Sequence, residues 1–193
     1  MKLFTVHLGG RAEGCNTELH DTVFVVGSSI EETHQKLTDK WFGINERLHI
    51  DCYAELKYVD GYEVTLEKSC PGGERTKKLY FVNYGAYQPG TFSELHEIAF
   101  YVADSRDGAV ARARKELCQG LYQAHLDDNL ELRGALDMPQ ADVDDVIELT
   151  SVDQYHIVLT PTEWASKFQV RCGYIRLQPP SSRQYRKRGV IVS

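Results

Sequence analysis

No apolar run in this 193-residue chain approaches the ~20 residues that a membrane-spanning helix needs. The start, Met1-Lys2-Leu3-Phe4-Thr5-Val6-His7, lacks the apolar core and small-residue cleavage site of a secretory signal. The chain reads as cytoplasmic, with no membrane partner. Its five cysteines, Cys15, Cys52, Cys70, Cys118 and Cys172, are odd in number, widely spaced and include no C-x-x-C pair. They read as reduced, structural thiols. H-E-x-x-H, G-x-G-x-x-G and G-x-S-x-G are all missing, so no motif announces a closed metal site, a phosphate loop or a nucleophile elbow. The expectation is no metal and no cofactor. Hydrophobic residues at 42% and charged residues at 26% are ordinary for a globular chain.

What the chain has is a repetition. Lys2–Gly27, KLFTVHLGGRAEGCNTELHDTVFVVG, meets KLYFVNYGAYQPGTFSELHEIAFYVA at a displacement of 76 positions. Ten of the 26 paired positions are identical, where average residue usage gives roughly one or two. A unit of about 75 residues is near the lower limit for one hydrophobic core, so the two copies are expected to pack on each other.

Within the first copy, Lys2–Leu8 reads as a strand ended by Gly9-Gly10. Residues 9–20 form a long polar connection of the kind that carries function. Thr22–Val26 reads as the second strand. Ser28 or Ser29 caps a helix whose Ile30, Thr33, Leu37 and Trp41 recur at helical spacing as far as Gly43. In Arg47–Leu56, Leu48, Ile50 and Cys52 alternate with His49 and Asp51, which puts the His and the Asp side by side on the other face. Val59-Asp60-Gly61-Tyr62 signals a turn before a last strand, Tyr62–Leu66. The pattern is ββαββ.

The second copy follows Lys68–Thr76, a linker, with its helix at Ser105–Leu117. The displacement of 76 is expected to hold as far as Leu56/Leu132, aligning His49 with His125 and Asp51 with Asp127. Beyond that it becomes 93, because VDGYEVTL (Val59–Leu66) meets VDQYHIVL (Val152–Leu159). The difference places a 17-residue acidic insertion within 133–151, read as a surface excursion. The domains are then 1–67, 77–160, and a segment 161–193 holding an extra strand (Phe168–Leu177) and a basic tail. Residues 161–193 carry seven Lys/Arg and one acid, against 15 basic and 27 acidic residues elsewhere. Nucleic-acid binding through Arg183–Arg188 rests on that tail alone.

One polar set occurs twice: Glu18, His20, Asp21, His49 and Asp51, then Glu94, His96, Glu97, His125 and Asp127. Such side chains satisfy backbone groups at loop ends and across strands. They also serve as metal ligands and general acids or bases. Gly9, Gly10 and Arg11 invite an anion-binding reading, exposed amides beside a guanidinium, though Gly85-Ala86-Tyr87 loses the Arg. A strand-ending turn is the plainer reading. His7 meets Asn83 and is set aside.

The strings LGGRAEGCNTELHDTVFVVG and LHIDCYAE, followed by VDGYEV, resemble an uncharacterised bacterial family, domain of unknown function 1543. The resemblance covers Leu3 to about Leu66, and the second copy to about Leu159 more loosely. It implies a small α+β unit, a ubiquitin-like roll in single or tandem form, and brings no activity, cofactor or catalytic residue.

The expected fold is α+β: two tandem ββαββ units, each a ubiquitin-like, β-grasp-like roll, related by a pseudo-twofold axis. The expected function is a non-enzymatic cytoplasmic binding or interaction module. Its contact surfaces would be the Gly9–His20 and Gly85–His96 loops, and a protein partner would add along a sheet edge. The alternative is a small-molecule or metal-dependent enzyme, which requires His20, His49 and Asp51 to converge.

Overall fold

The computed structural model describes residues 1–73, 76–88, 90–119, 143–164 and 169–177. These residues form an α+β protein. In chain order the strands are β1 Lys2–Arg11, β2 Leu19–Gly27, β3 Ile44–Glu55, β4 Tyr58–Val59, β5 Tyr62–Glu67, β6 Lys78–Ala86, β7 Leu95–Ala103, β8 Val143–Leu149, β9 Ser151–Val152, β10 Tyr155–Pro161 and β11 Arg171–Arg176. The helices are α1 His34–Lys40 and α2 Arg106–Glu116. The chain divides into two compact units: Leu3–Glu55 with the described residues from Gln169 onward, and Leu56–Phe168. Sequence copies and compact units are different divisions, because β11 joins the first sheet and both hairpins that close the copies lie in unit 2. Among the described residues no helix is long and apolar enough to cross a membrane.

Unit 1 is a sheet of order β11-β3-β1-β2. Phe4, Val6 and Leu8 alternate onto one face of β1 and pack with Val23, Val25, Leu48, Ile50 and the helical residues Ile30, Leu37 and Trp41. Burying each large side chain contributes about 1.5–3 kcal/mol. The helix is shorter than its periodicity predicts: a 3₁₀ turn, Glu31–Thr33, leads into α1, and neither carries a side-chain N-cap. Instead the Ser28 N–H donates to the Glu32 carboxylate at 3.2 Å, and the Thr33 hydroxyl donates to the Ile30 carbonyl at 2.6 Å.

Gly9-Gly10 does not end the first strand. Gly9 pairs with His49 inside the β1·β3 ladder, which continues to Arg11. The glycines permit close approach rather than a turn. A Cβ on Gly9 would stand 2.6 Å from His49 Nε2, and one on Gly10 would stand 2.8 Å from the Trp41 ring. With β2 starting at Leu19, the connection shrinks to residues 12–18. Gly85 is likewise in a strand, paired with His96. The loop placement of Gly9, Gly10 and Arg11, and the anion reading built on it, are thus corrected.

β3 also departs from plain alternation. His7 faces Cys52 but Leu8 faces Ile50, so Asp51 is an extra, bulged residue. The bulge flips the phase of the strand. Cys52 shares the open face with His7, and Tyr53, not Cys52, packs against the core.

Unit 2 contains two sheets, β7-β6-β8 and β4-β5-β10-β9. Ala109, Ala113 and Leu117 lay α2 on the first sheet against Tyr80, Val82, Tyr84 and Tyr101. Ser105 caps the helix, accepting the Gly108 N–H at 3.1 Å. The strand beside β6 corrects the repeat alignment. Phe4 faces Glu55 in the first copy, and Tyr80, its counterpart at 76, faces Glu148. The displacement from Glu55 to Glu148 is 93. The change from 76 to 93 therefore falls before the third strand of the copy rather than after it. Residues 143–149 of the expected surface excursion are a sheet strand, with Glu148 paired to Lys78 at 2.9 Å; the rest of it, 133–142, lies outside the described residues. β-Branched Val146 and Ile147 suit that pairing with the central β6. Even the bulge recurs: Asn83 faces Asp145 while Tyr84 faces Val143, leaving Asp144 at the place of Asp51.

The second sheet joins the two closing hairpins. Their turns lie at Asp60–Gly61 (φ 55° and 79°) and Asp153–Gln154 (φ 48° and 68°), the left-handed pair that matches strand twist. Asp60 is held further: it accepts the Val102 N–H at 2.9 Å and a two-pronged contact from Arg112.

Candidate functional site

Three strands of unit 1 deliver polar side chains to the sheet face opposite its core. β1 contributes His7 and the bare backbone of Gly9, β2 contributes His20, and β3 contributes His49 and the bulged Asp51. Glu18 reaches in from just before β2. The acceptor atoms converge. His20 Nε2 is 3.2 Å from Asp51 Oδ2 and 3.6 Å from Glu18 Oε1; His49 Nε2 is 3.1 Å from Asp51 Oδ1 and 3.5 Å from Glu18 Oε1. Glu18, His20 and Asp51 each offer an atom within 4.8 Å of the others. The cluster is open on one side: the His20 side chain is 43% exposed, while that of His49 is 1% exposed.

The geometry fixes one proton. His49 Nδ1 stands 2.7 Å from the Arg47 carbonyl oxygen. A carbonyl only accepts, so Nδ1 carries the hydrogen. In the neutral ring Nε2 is then a lone pair, aimed at two carboxylates that also only accept. Asp51 Oδ2 is buried and accepts no well-directed hydrogen bond, although His20 Nε2 lies 3.2 Å away. The plain contact distance overstates that pairing, because a hydrogen bond needs alignment as well as proximity.

The other sequence-derived residues divide. Asp21 lies in β2 beside the cluster and acts on His7 through its charge. In the second copy, Glu94 and His96 repeat their contact, with His96 Nε2 3.6 Å from Glu94 Oε2. Glu97 serves the fold: its carboxylate accepts the Cys118 N–H just past α2 at 2.6 Å. His125 and Asp127 lie outside the described residues.

Sequence reasoning passed over three contributors. The His7 ring stacks on His20 with centroids 5.2 Å apart, and its Nδ1 hydrogen-bonds with Thr22 at 3.1 Å. Burial, and then the charge of His20, hold its pKa below the usual value against the opposing pull of Asp51 and Asp21. His7 sits two residues from Gly9 on one strand face, a signal that was available. Tyr174 covers His49 at a centroid distance of 4.0 Å. Arg47 supplies the carbonyl from a left-handed backbone (φ 68°). Neither of these two has a repeat counterpart to flag it.

Unit 2 has a cavity of about 460 Å³ that takes in Tyr62, Lys77, Lys78, Leu149 and Ile157. Its lysines are engaged, Lys77 with Asp104 and Lys78 with Glu148, both at 2.9 Å. None of the duplicated polar residues lines it.

Comparison with known proteins gives a family without an assigned chemistry. Residues 15–66 and 91–139 match the profile described as Domain of Unknown Function (DUF1543), two segments consistent with tandem copies. The chain is similar to protein Il1583 from Idiomarina loihiensis, with 31% identity over 92% of this chain and 99% of that one, and a TM-score of 0.68 to its crystal structure. Curated proteins gave no match.

Proposed function

Since this chain belongs to the family described as Domain of Unknown Function (DUF1543), which names no activity, we propose its function from the site itself. It is a cytoplasmic binding module, without chemistry of its own, that takes a positively charged group on the open face of the unit 1 sheet. One observation carries this reading: the His49 Nε2 lone pair meets the carboxylates of Glu18 and Asp51, and the one proton that His49 must keep points away from them. Lone pairs facing lone pairs at 3.1–3.5 Å repel unless positive charge lies among them. We also read each sequence copy as a ββαββ unit, its closing hairpin lying in a sheet apart from its first three strands. The recurrence of the order β3-β1-β2 in β8-β6-β7 supports it.

A metal-dependent enzyme is the second reading, favoured by the convergence of both histidines on Asp51. The hydroxyl beside the cluster, Thr22, is already bonded to His7.

The test is amide chemical-shift mapping of the full chain with zinc chloride, methylammonium and guanidinium, against urea as the uncharged control. Shifts confined to residues 7–20 and 47–51 for at least one cation, and not for urea, support the reading. No response to any cation, or an equal response to urea, overturns it.

A further inference from the structure

We infer that the positively charged group is a divalent transition-metal ion, held by Glu18, His20 and Asp51, with the buried His49 set against the same two carboxylates. The inference rests on the cation reading above and adds the identity of the cation class. Distance decides between classes. Four donors about 2.0–2.1 Å from a tetrahedral zinc stand about 3.3–3.4 Å from one another. His20 Nε2 here stands 3.2 Å from Asp51 Oδ2 and 3.6 Å from Glu18 Oε1. An ammonium nitrogen at about 2.8 Å from each acceptor would need them about 4.6 Å apart. The two His20 edges match a metal ion rather than an ammonium.

Donor chemistry narrows the choice further. An imidazole nitrogen with two carboxylates suits zinc, cobalt, manganese or iron, whereas calcium and magnesium take oxygen shells. The surroundings are those of a built site. The Arg47 carbonyl orients His49 through its far nitrogen, which turns Nε2 onto both carboxylates. Arg47 holds a left-handed backbone, uncommon for a non-glycine residue, to supply it. Gly9 leaves the space in which His49 Nε2 and Asp51 Oδ2 sit. Tyr174 closes the buried side, and the exposed Glu18 and His20 leave an entrance. The second copy keeps Glu94 and His96, and Asp144 holds the bulged place, but its third-strand partner for Gly85 is not a described residue. The inference is confined to unit 1.

The experiment uses the full-length chain stripped with a chelator. Zinc, cobalt, manganese and magnesium are titrated by calorimetry, and cobalt is also followed by visible absorption. The expected result is one zinc or cobalt ion per chain, intense tetrahedral cobalt bands, and no magnesium heat. His20→Gln and Asp51→Asn, both at partly exposed positions, should weaken zinc by about 10–100-fold or more, while Glu94→Gln leaves it unchanged. No zinc binding, zinc binding unchanged by His20→Gln, or a pale octahedral cobalt spectrum overturns the inference; the cobalt spectrum needs no variant. If methylammonium or guanidinium still shifts residues 7–20 and 47–51 when zinc does not bind, the inference falls and the cation reading stands. If nothing shifts them, both fall.

Discussion

Thr65 and Val158 face each other across β5 and β10, and they are the same position of the two sequence copies, 93 residues apart. On either side Val64 faces Leu159 and Leu66 faces Ile157, so each strand reads its partner as its partner reads it. That self-complementary pairing has the form of a twofold interface between identical chains. A chain of residues 1–67 alone would present β5 with an unpaired edge. It is expected to dimerise through that edge, giving a concentration-dependent mass of two chains by sedimentation equilibrium. A folded monomer at every concentration would contradict this.

Asp60 carries a pH signature. Desolvation works to raise its pKa, but the Arg112 hydrogen bonds, the Val102 N–H and the nearby cationic charges outweigh it and hold the carboxyl below its ordinary value. A depressed folded-state pKa stabilises the protein above the unfolded value, roughly 3.9, and that contribution is lost as pH falls through the folded value. Both side chains are partly exposed, at 23% and 38%, so the pair is worth about 1–2 kcal/mol after screening. Asp60→Asn should lower stability by that amount at neutral pH and flatten the acid limb of unfolding below about pH 4. An acid limb unchanged from wild type would refute the assignment.

Cys52 and Cys172 lie directly opposite each other on β3 and β11. Facing residues on antiparallel strands have Cα atoms about 4.5–5.5 Å apart, within disulfide range. Burial first, and then the neighbouring thiol and Asp51, push the Cys52 thiol up. Exposure makes Cys172 the thiol that attacks first. Oxidised glutathione should form a mixed disulfide on Cys172, which Cys52 resolves into an internal bond, releasing two molecules of reduced glutathione in all. Peptide mapping should find the 52–172 link. Independent glutathionylation of both residues would contradict the pairing.

The helices and strands were legible because they rest on periodicity: Ile30–Leu37–Trp41 mark the buried face they were read to mark, and the expected helix at Ser105–Leu117 buries Ala109, Ala113 and Leu117. Three local readings failed for physical reasons. Gly9-Gly10 looks like punctuation, but here glycine answers to crowding by His49, Asp51 and Trp41. The bulge at Asp51 breaks a two-residue period that a sequence reader extends. Identity drew His49 toward His125, whereas the ladder partners of β6 lie 93 positions on from those of β1.

The site was half legible. His20, His49, Asp51 and Glu18 stand out because they recur or share a strand face. His7 failed the recurrence test, and Tyr174 lies beyond the repeat altogether. Recurrence finds what both copies keep and misses what one copy adds. The proton on His49 Nδ1 depends on the backbone turn at Arg47, which no residue pattern announces.

Long-range proton–nitrogen NMR of the histidine rings bears most directly on the converging acceptors. His49 should show Nδ1 protonated with and without zinc, while the Nε2 resonances of His49 and His20 move together as zinc is added. A His49 ring that keeps its proton on Nε2 with Nδ1 bare, or two imidazoles that ignore the ion, would contradict the reading.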